Sequence, residues 1–144
     1  MTESKVVAFQ SEDIEYIFDN YPQKVREKCM VLRQLIFDIA AENPAIGPIE
    51  ESIRWGEPCY LPSQTKSGSM IRMHHYSKKP FDFALYFLCQ TKLVGMFRDL
   101  YPKTFQFGGN RSLEFMVSDP LPIKEIKECI KLTLTYYLED HHTT

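Results

Sequence analysis

Hydrophobic residues in the first third of the chain recur every three to four positions, which is the spacing of an amphipathic helix. Ser11 comes directly before Glu12 and Asp13, an order that predicts an N-cap followed by acidic residues that the helix dipole favours. Pro22 ends this helix and suits the first turn of a second one. The second helix carries its apolar residues at Val25, Cys29, Leu32, Leu35, Ile36 and Ile39. We therefore predict two consecutive helices before Pro44.

The middle of the chain changes to short apolar runs that are typical of β-strands. We predict strands within residues 70–76 and 82–89, preceded by a loop over residues 62–69. The second of these strands carries Phe83, Leu85 and Phe87 on one face. A further strand is predicted at residues 112–117, where apolar and polar residues alternate with period two.

Helical spacing returns in the last third of the chain. The apolar residues between positions 92 and 100 predict a short helix that ends before Pro102. A longer helix is predicted after Pro122. Its apolar face consists of Ile123, Ile126, Ile130, Leu134 and Tyr137.

These elements together predict the fold class. Strands joined by short turns favour an antiparallel sheet, and the helices before and after the strands can cover one of its faces. We therefore predict an α+β fold, a two-layer domain in which a mostly antiparallel β-sheet packs against N-terminal and C-terminal helices. At 144 residues the chain is expected to form a single domain. The aromatic residues of the strands make the uncovered sheet face a candidate binding or dimer surface.

Residues 50–60 join the helical and β-rich parts and contain Trp55, the single tryptophan of the chain. Gly56 can adopt a positive φ, and Pro58 fixes its own φ and disfavours a helical Glu57, so a stiff bend is predicted over these three residues. The bend would present two rings with an apolar body and a polar tip, those of Trp55 and Tyr60, which suit a ligand pocket or an interface. Packing of the loop onto the core is the alternative interpretation.

Two charged residues, Arg54 and Glu57, flank this bend. They are candidate polar partners for a ligand, or a solvated pair. His74 is added to the candidate site because a pocket between the bend and its strand would include one histidine of the pair His74-His75. Neighbouring residues of a strand point to opposite faces, so these two histidines are not expected to bind one metal ion together.

Composition limits the classes of partner and compartment. A net charge of −2 argues against a nucleic-acid binder, which usually carries a strongly basic surface. The sequence lacks both an apolar run long enough to span a membrane and the apolar segment of a signal peptide, so a cytoplasmic protein is expected. The four cysteines form no Cys-x-x-Cys pair and are expected to be buried, reduced residues.

An acidic surface on the first helix is the candidate metal site. Glu12, Glu15 and Asp19 are three and four residues apart and share a helix face, and hard cations such as iron prefer oxygen ligands. An ordinary solvated face is the alternative. A second histidine pair, His141-His142, lies in the C-terminal tail, which is expected to fray.

Catalytic signatures are absent from the sequence. It contains no Gly-x-Ser-x-Gly motif and no cysteine with an evident basic partner, and Gly108-Gly109-Asn110 fits a turn better than a phosphate-binding loop. The sequence therefore gives no support for an enzyme, and a non-catalytic protein is favoured.

The motif Trp55-Gly56-x-Pro58-x-Tyr60 resembles the YdhG-like family, whose domain is called DUF1801. The resemblance extends over roughly residues 12–138 and includes Leu32-Arg33-x-Leu35-Ile36, Phe83-Ala84-Leu85-Tyr86-Phe87 and Leu113-Glu114-Phe115. It implies an α+β fold. One branch of the family is described as frataxin-like intracellular iron chaperones, so the resemblance also implies iron as a candidate cargo.

Three hypotheses of function follow. The first is a cytoplasmic, non-catalytic binding protein that handles iron in the manner of frataxin, as monomer or homodimer, without nucleic-acid or membrane partners. The second is a small-molecule-binding protein or an enzyme with a pocket near the Trp55–Tyr60 bend. The third is a dimeric interaction module that uses the uncovered sheet face.

Overall fold

A computed structural model describes residues 5–139 of the chain. The helices are α1 (Glu12–Asp19), α2 (Gln23–Glu42), α3 (Leu93–Leu100) and α4 (Ile123–Leu134), and a short 3-10 turn (Tyr136–Leu138) follows α4. The strands are β1 (Glu50–Arg54), β2 (Glu57–Leu61), β3 (Ile71–His75), β4 (Phe83–Phe87), β5 (Gln106–Gly108) and β6 (Ser112–Phe115). No helix within residues 5–139 is both long and apolar enough to cross a membrane.

The strands form one antiparallel sheet in the order β1-β2-β3-β4-β6-β5. Side chains on one face, such as Tyr60, Met73, Leu85 and Leu113, are fully buried and belong to the same apolar core as the inward faces of the helices. The predicted α+β fold, an antiparallel sheet with helices from both ends of the chain, is confirmed.

The helix boundaries follow from the capping residues that the sequence predicted. The hydroxyl oxygen of Ser11 accepts a hydrogen bond from the backbone N–H of Ile14 at 3.2 Å, which confirms Ser11 as the N-cap of α1. Pro22 directly precedes α2, and the short helix predicted over residues 92–100 is α3. At the C-terminal end the prediction was wrong in one detail. The helix ends at Leu134, and Tyr137 lies in the 3-10 turn with about half of its surface exposed.

The predicted bend lies one residue earlier than expected. Trp55 and Gly56 have φ values of 53° and 75°, and they form the two-residue turn of a hairpin between β1 and β2. Positive φ at both central positions is characteristic of a type I′ turn. Pro58 is not part of the bend, because it pairs with Ile53 inside the hairpin. The pairing of β2 with β3 begins beyond it, at Cys59.

The loop between β2 and β3 is held by the end of α4. The hydroxyl group of Ser67 donates to the carbonyl oxygen of Leu134 at 2.8 Å, and the N–H of Ser69 donates to that of Thr133 at 2.9 Å. Gly68 lies between them, and a Cβ atom at this position would be 2.2 Å from the Leu134 backbone. The loop can therefore approach the helix this closely only with a glycine at position 68.

Candidate functional site

The sheet face that does not carry the core residues presents polar and aromatic side chains. Successive residues of a strand point to opposite faces, so the neighbours of the buried Tyr60, Met73 and Leu85 lie on this second face. The strand register aligns Cys59 with Arg72, and Arg72 in turn with Tyr86. We call this surface the open sheet face, and its centre is the candidate functional site.

A carboxylate at the start of β2 holds two side chains of β3 on the open sheet face. One oxygen of Glu57 accepts a hydrogen bond from Nη1 of Arg72, and the other contacts Nδ1 of His74. All three side chains are partly buried. If Nδ1 carries the proton that it donates to Glu57, Nε2 of the neutral imidazole is left as an acceptor. Glu57 thus fixes the orientation of both neighbours.

The guanidinium group of Arg72 is also held by two aromatic rings. It lies 4.6 Å from the ring centroid of Tyr86 and 5.3 Å from that of Trp55. Both distances are within the range of cation–π attraction. Contacts with two rings and one carboxylate fix the position of Arg72, so it loses little side-chain entropy when it binds a further group.

A chain of hydroxyl groups lies beside His74. The ring of His74 packs edge-on against the rings of Tyr76 and Tyr86, with centroids 4.5 and 5.4 Å away. The hydroxyl of Tyr76 donates to Glu114 at 2.6 Å and lies 2.8 Å from the hydroxyl of Tyr86. Because the one proton of Tyr76 is directed at Glu114, Tyr86 donates to Tyr76. Burial and these two hydrogen bonds raise the pKa of Tyr76 far above its ordinary value.

A cleft of about 260 Å³ opens next to Arg72. Its lining includes three aromatic residues, two arginines, a cysteine and a glutamine, namely Trp55, Tyr86, Phe87, Arg72, Arg111, Cys89 and Gln90. The lining contains no acidic side chain. The cleft therefore offers flat apolar surfaces together with positive charge.

Trp55 stands at the edge of the cleft in an unusual backbone conformation. Its φ of 53° falls in the left-handed region, which bulky residues rarely adopt. Its side chain is 74% exposed, so the core gains little from it. Asn is a common residue at this position of a type I′ turn followed by glycine.

The structure brings together three of the residues that the sequence singled out as a ligand site. Trp55, Glu57 and His74 all lie around Arg72 on the open sheet face. Arg54 lies at the exposed end of β1, opposite Glu57 in the register of the hairpin. Tyr60 is not with them, because it is fully buried on the core face of the sheet.

Tyr60 instead completes a buried polar network. Its hydroxyl donates to Glu51 at 2.8 Å, and Glu51 also accepts from the guanidinium of Arg33. The ring of Tyr60 packs edge-on against Phe37 at 5.9 Å. Burial and the neighbouring Glu51 carboxylate raise the pKa of Tyr60. For Tyr60, packing onto the core was therefore the correct interpretation, and for Trp55 it was wrong.

Sequence reasoning missed the residues that complete the site, above all Arg72, Tyr86 and Arg111. The first two occupy the same strand faces as His74, and the alternation of β3 and β4 was the signal that could have found them. Arg111 is the last residue of the turn between β5 and β6, and nothing local connects it with the hairpin tip. Its place in the cleft depends on the order of the strands.

The three acidic residues proposed for metal binding, Glu12, Glu15 and Asp19, are exposed on α1. Asp19 forms an ion pair with Arg26 at 3.2 Å. Within residues 5–139, no group of three or more His, Cys, Asp or Glu side chains has an arrangement that could hold a metal ion. Iron binding by this helix stays a prediction.

The two histidines of β3 have different surroundings, as predicted. His74 contacts Glu57 on the open sheet face, whereas the ring of His75 lies 5.4 Å from that of Tyr21, a residue that packs on the core. Burial and the proximity of His74 lower the pKa of His75. The predicted tail pair, His141-His142, lies outside the described residues.

A larger cleft of about 630 Å³ lies between α2 and α4. Its lining carries charges of both signs, including Glu42, Glu128, Lys124 and Lys127, and no aromatic ring. It offers neither a flat surface nor a consistent charge. The smaller cleft on the open sheet face is therefore the better candidate.

Comparison with known proteins supports the fold. No family model and no curated protein matches the sequence. A solved structure does match: a Bacillus subtilis protein of the DUF1801 family, YdhG, has a TM-score of 0.60. The match covers 91% of this chain and 96% of that chain, at 14% sequence identity. The chain has the YdhG-like fold.

The YdhG-like fold confirms what the Trp55-Gly56-x-Pro58-x-Tyr60 motif implied about architecture. At this level of identity the likeness concerns the fold alone, and it transfers neither a site nor an activity to this chain. The function has to be argued from the open sheet face.

Proposed function

We propose that this chain is a small-molecule-binding protein and that the cleft beside Trp55 and Arg72 is its binding site. The observation that carries the proposal is the position of Trp55, an exposed aromatic ring held at the cleft by a left-handed backbone conformation. Such a conformation costs about 1–3 kcal/mol for a residue other than glycine. Conformational strain of this kind is concentrated at functional sites.

The surroundings of Trp55 support the same proposal. Glu57, Tyr86 and Trp55 together fix the guanidinium of Arg72, so that a charged group is prepared for contact before any ligand binds. A recognition site of this type needs few groups in fixed positions around an apolar surface. The cleft has this composition.

The proposal is for binding without catalysis. Glu57, the carboxylate beside the cleft, already accepts contacts from Arg72 and His74 with its two oxygens, and His74 itself does not line the cleft. A general base needs a free acceptor within reach of the substrate proton. The iron-handling hypothesis has no comparable observation in its favour, because the acidic residues of α1 are exposed and separate from the cleft.

The test is a search for small compounds that bind the full chain, with Cys89 as a reporter of position. Cys89 lines the cleft and is exposed, whereas Cys29, Cys59 and Cys129 are buried. Iodoacetamide should therefore alkylate Cys89 in the folded protein. We expect some single-ring compounds of a neutral, cationic and anionic library to raise the melting temperature and to slow this alkylation. The Cys89→Ser variant should show no alkylation when folded.

Two variants test whether the protection of Cys89 depends on the cleft. Trp55→Ala should abolish the protection of Cys89, whereas Lys103→Gln should leave it unchanged. Lys103 is the control because it is an exposed positive charge that does not line the cleft. If every bound compound leaves the alkylation rate unchanged, the cleft is not the site. Alkylation that slows with protein concentration alone would instead support the dimeric interaction module.

A further inference from the structure

The charges around the cleft indicate the class of ligand, an inference that rests on the function proposed above. Arg72 and Arg111 line the cleft, and no acidic side chain does. Glu57 compensates one of these charges through its contact with Arg72. Arg111 has no carboxylate partner within residues 5–139. One carboxylate against two guanidinium groups leaves one positive charge, which favours a ligand with a single negative charge.

The hydrogen-bonding groups of Arg72 that remain free point to a planar anion. Within the described residues its guanidinium makes one hydrogen bond, from Nη1 to Glu57. Its other N–H groups have no partner in that part of the chain and can donate to a ligand. A guanidinium group presents parallel N–H bonds that match the two oxygens of a carboxylate.

The rings and the volume of the cleft define the rest of the ligand. Trp55 and Tyr86 supply aromatic surface at the cleft, and the ring of Trp55 is largely exposed. A volume of about 260 Å³ is below the lower end, roughly 300 Å³, of the usual range for ligand pockets. This size suits a compound with one ring.

We propose that the cleft binds a small aromatic monocarboxylate. Its carboxylate contacts Arg72 and Arg111, and its ring packs against Trp55. The cleft selects for charge and for a flat ring at the same time, because guanidinium groups and aromatic rings both line it. These groups come from different strands and turns.

Benzoate is the probe for this proposal, and three related compounds are its controls. Benzamide has the same shape without the charge, cyclohexanecarboxylate has the charge without an aromatic ring, and inorganic phosphate is an anion without a ring. We expect calorimetric titration of the full chain to show binding of benzoate at least about tenfold tighter than of benzamide or phosphate, and severalfold tighter than of cyclohexanecarboxylate. Benzoate should also slow the alkylation of Cys89.

Charge-removing variants complete the test. Arg111→Gln should weaken benzoate binding by about tenfold and leave the melting temperature of the free protein unchanged, because the side chain is exposed and has no ion pair within residues 5–139. Lys103→Gln, which removes an exposed positive charge outside the cleft, should leave the affinity for benzoate unchanged. Equal affinity for benzamide and benzoate, or an unchanged affinity in Arg111→Gln, would overturn the proposed ligand class.

The outcome also separates this inference from the proposed function. If neutral or cationic compounds protect Cys89 while benzoate does not, the ligand class is wrong and the binding site stands. If phosphate binds as tightly as benzoate, the cleft is an anion site without a preference for aromatic rings. If no compound protects Cys89, both proposals fail.

Discussion

The guanidinium group of Arg33 donates to both carboxylate oxygens of Glu51, at 2.6 and 3.0 Å, in an ion pair that is closed to solvent. Two further N–H groups, on Nη1 and Nη2, donate to the carbonyl oxygens of Val7 and Ala8, and its Cζ atom lies 4.3 Å from the ring centroid of Phe9. The pair thus joins α2, β1 and the segment before α1. A charge buried this deeply is tolerated only with extensive hydrogen bonding of this kind.

Removal of the carboxylate from this pair should be strongly destabilising. We predict that Glu51→Ala lowers the free energy of unfolding by about 3–5 kcal/mol, because Arg33 would remain charged and buried without its partner. Urea denaturation followed by circular dichroism measures the change. Glu50→Ala is the matched control, since Glu50 is the exposed neighbour on the same strand and should change the stability by less than about 0.5 kcal/mol. Equal effects of the two substitutions would contradict this account of the ion pair.

A second prediction concerns the contact between Gly68 and α4. A Cβ atom at Gly68 would lie 2.2 Å from the backbone of Leu134, which cannot move without breaking the hydrogen bonds of Ser67 and Ser69. We expect Gly68→Ala to lower the free energy of unfolding by about 1–3 kcal/mol, the usual cost of overpacking. Thermal and urea denaturation give the measurement.

The control for this substitution is a glycine with free space around it. Gly95 lies inside α3, and a Cβ atom there would have nothing within 4 Å. Gly95→Ala should therefore raise the stability by about 0.5–1 kcal/mol, because alanine restricts the unfolded chain and favours the helix. If both alanines destabilise the protein to the same extent, the contact with Leu134 does not explain the glycine at position 68.

A third prediction is a pH dependence that comes from Asp82. Its carboxylate accepts hydrogen bonds from Nζ of Lys79 and, at 2.7 Å, from the N–H of Val117, and these hold the pKa of Asp82 below its ordinary value of 3.8. Because the folded pKa is the lower one, the unfolded chain binds the proton first as the pH falls. The stabilisation is therefore fully present above pH 3.8 and is lost as the pH falls through the folded pKa.

The Asp82→Asn variant tests whether the stabilisation by Asp82 is lost as the pH falls. It should be less stable than the parent protein at pH 7, and the difference should shrink below pH 3.8, where the parent loses its carboxylate as well. Urea denaturation across this pH range measures the difference. Asp99→Asn, at an exposed position of α3, should show no such convergence. A difference that stays constant from pH 7 to below pH 3.8 would rule out the proposed contribution of Asp82.

The sequence contained enough information for the fold because its signals are periodic. The apolar spacing around Leu32 and the alternation around Phe115 survive in the structure as buried faces of a helix and a strand. The hairpin tip was misplaced for a physical reason. A tryptophan is a rare choice at positive φ, so the rules of local conformation assigned the bend to Gly56 and Pro58 instead of Trp55 and Gly56.

The site was only partly predictable, because it depends on register between strands. Trp55, Glu57 and His74 could be singled out as unusual residues in the sequence. Their common partner, Arg72, became apparent only when the hairpin was paired with β3, since the register decides which face each residue occupies. Tyr60 is the opposite case. Its position in the motif suggested that it lies near Trp55, but the alternation of side chains along β2 directs it into the core.

The last prediction concerns the conflict between stability and binding at Trp55. Asparagine followed by glycine suits a type I′ turn, so Trp55→Asn should relieve the strain of the left-handed conformation. It would also remove the contact with Arg72, which is worth about 0.5–1 kcal/mol at an exposed site. Since the strain is about 1–3 kcal/mol, we expect a net gain in stability of about 1 kcal/mol, measured by urea denaturation.

The same substitution should weaken the binding of benzoate, so that stability and affinity change in opposite directions. Trp55→Phe is the control, because phenylalanine keeps an aromatic ring and the strained backbone and should bind benzoate without any gain in stability. Comparing the two variants separates the effect of the aromatic ring on affinity from the effect of the backbone strain on stability. If Trp55→Asn is no more stable than Trp55→Phe, the backbone at Trp55 is not strained, and the argument that a strained turn holds Trp55 at the cleft for binding fails with it.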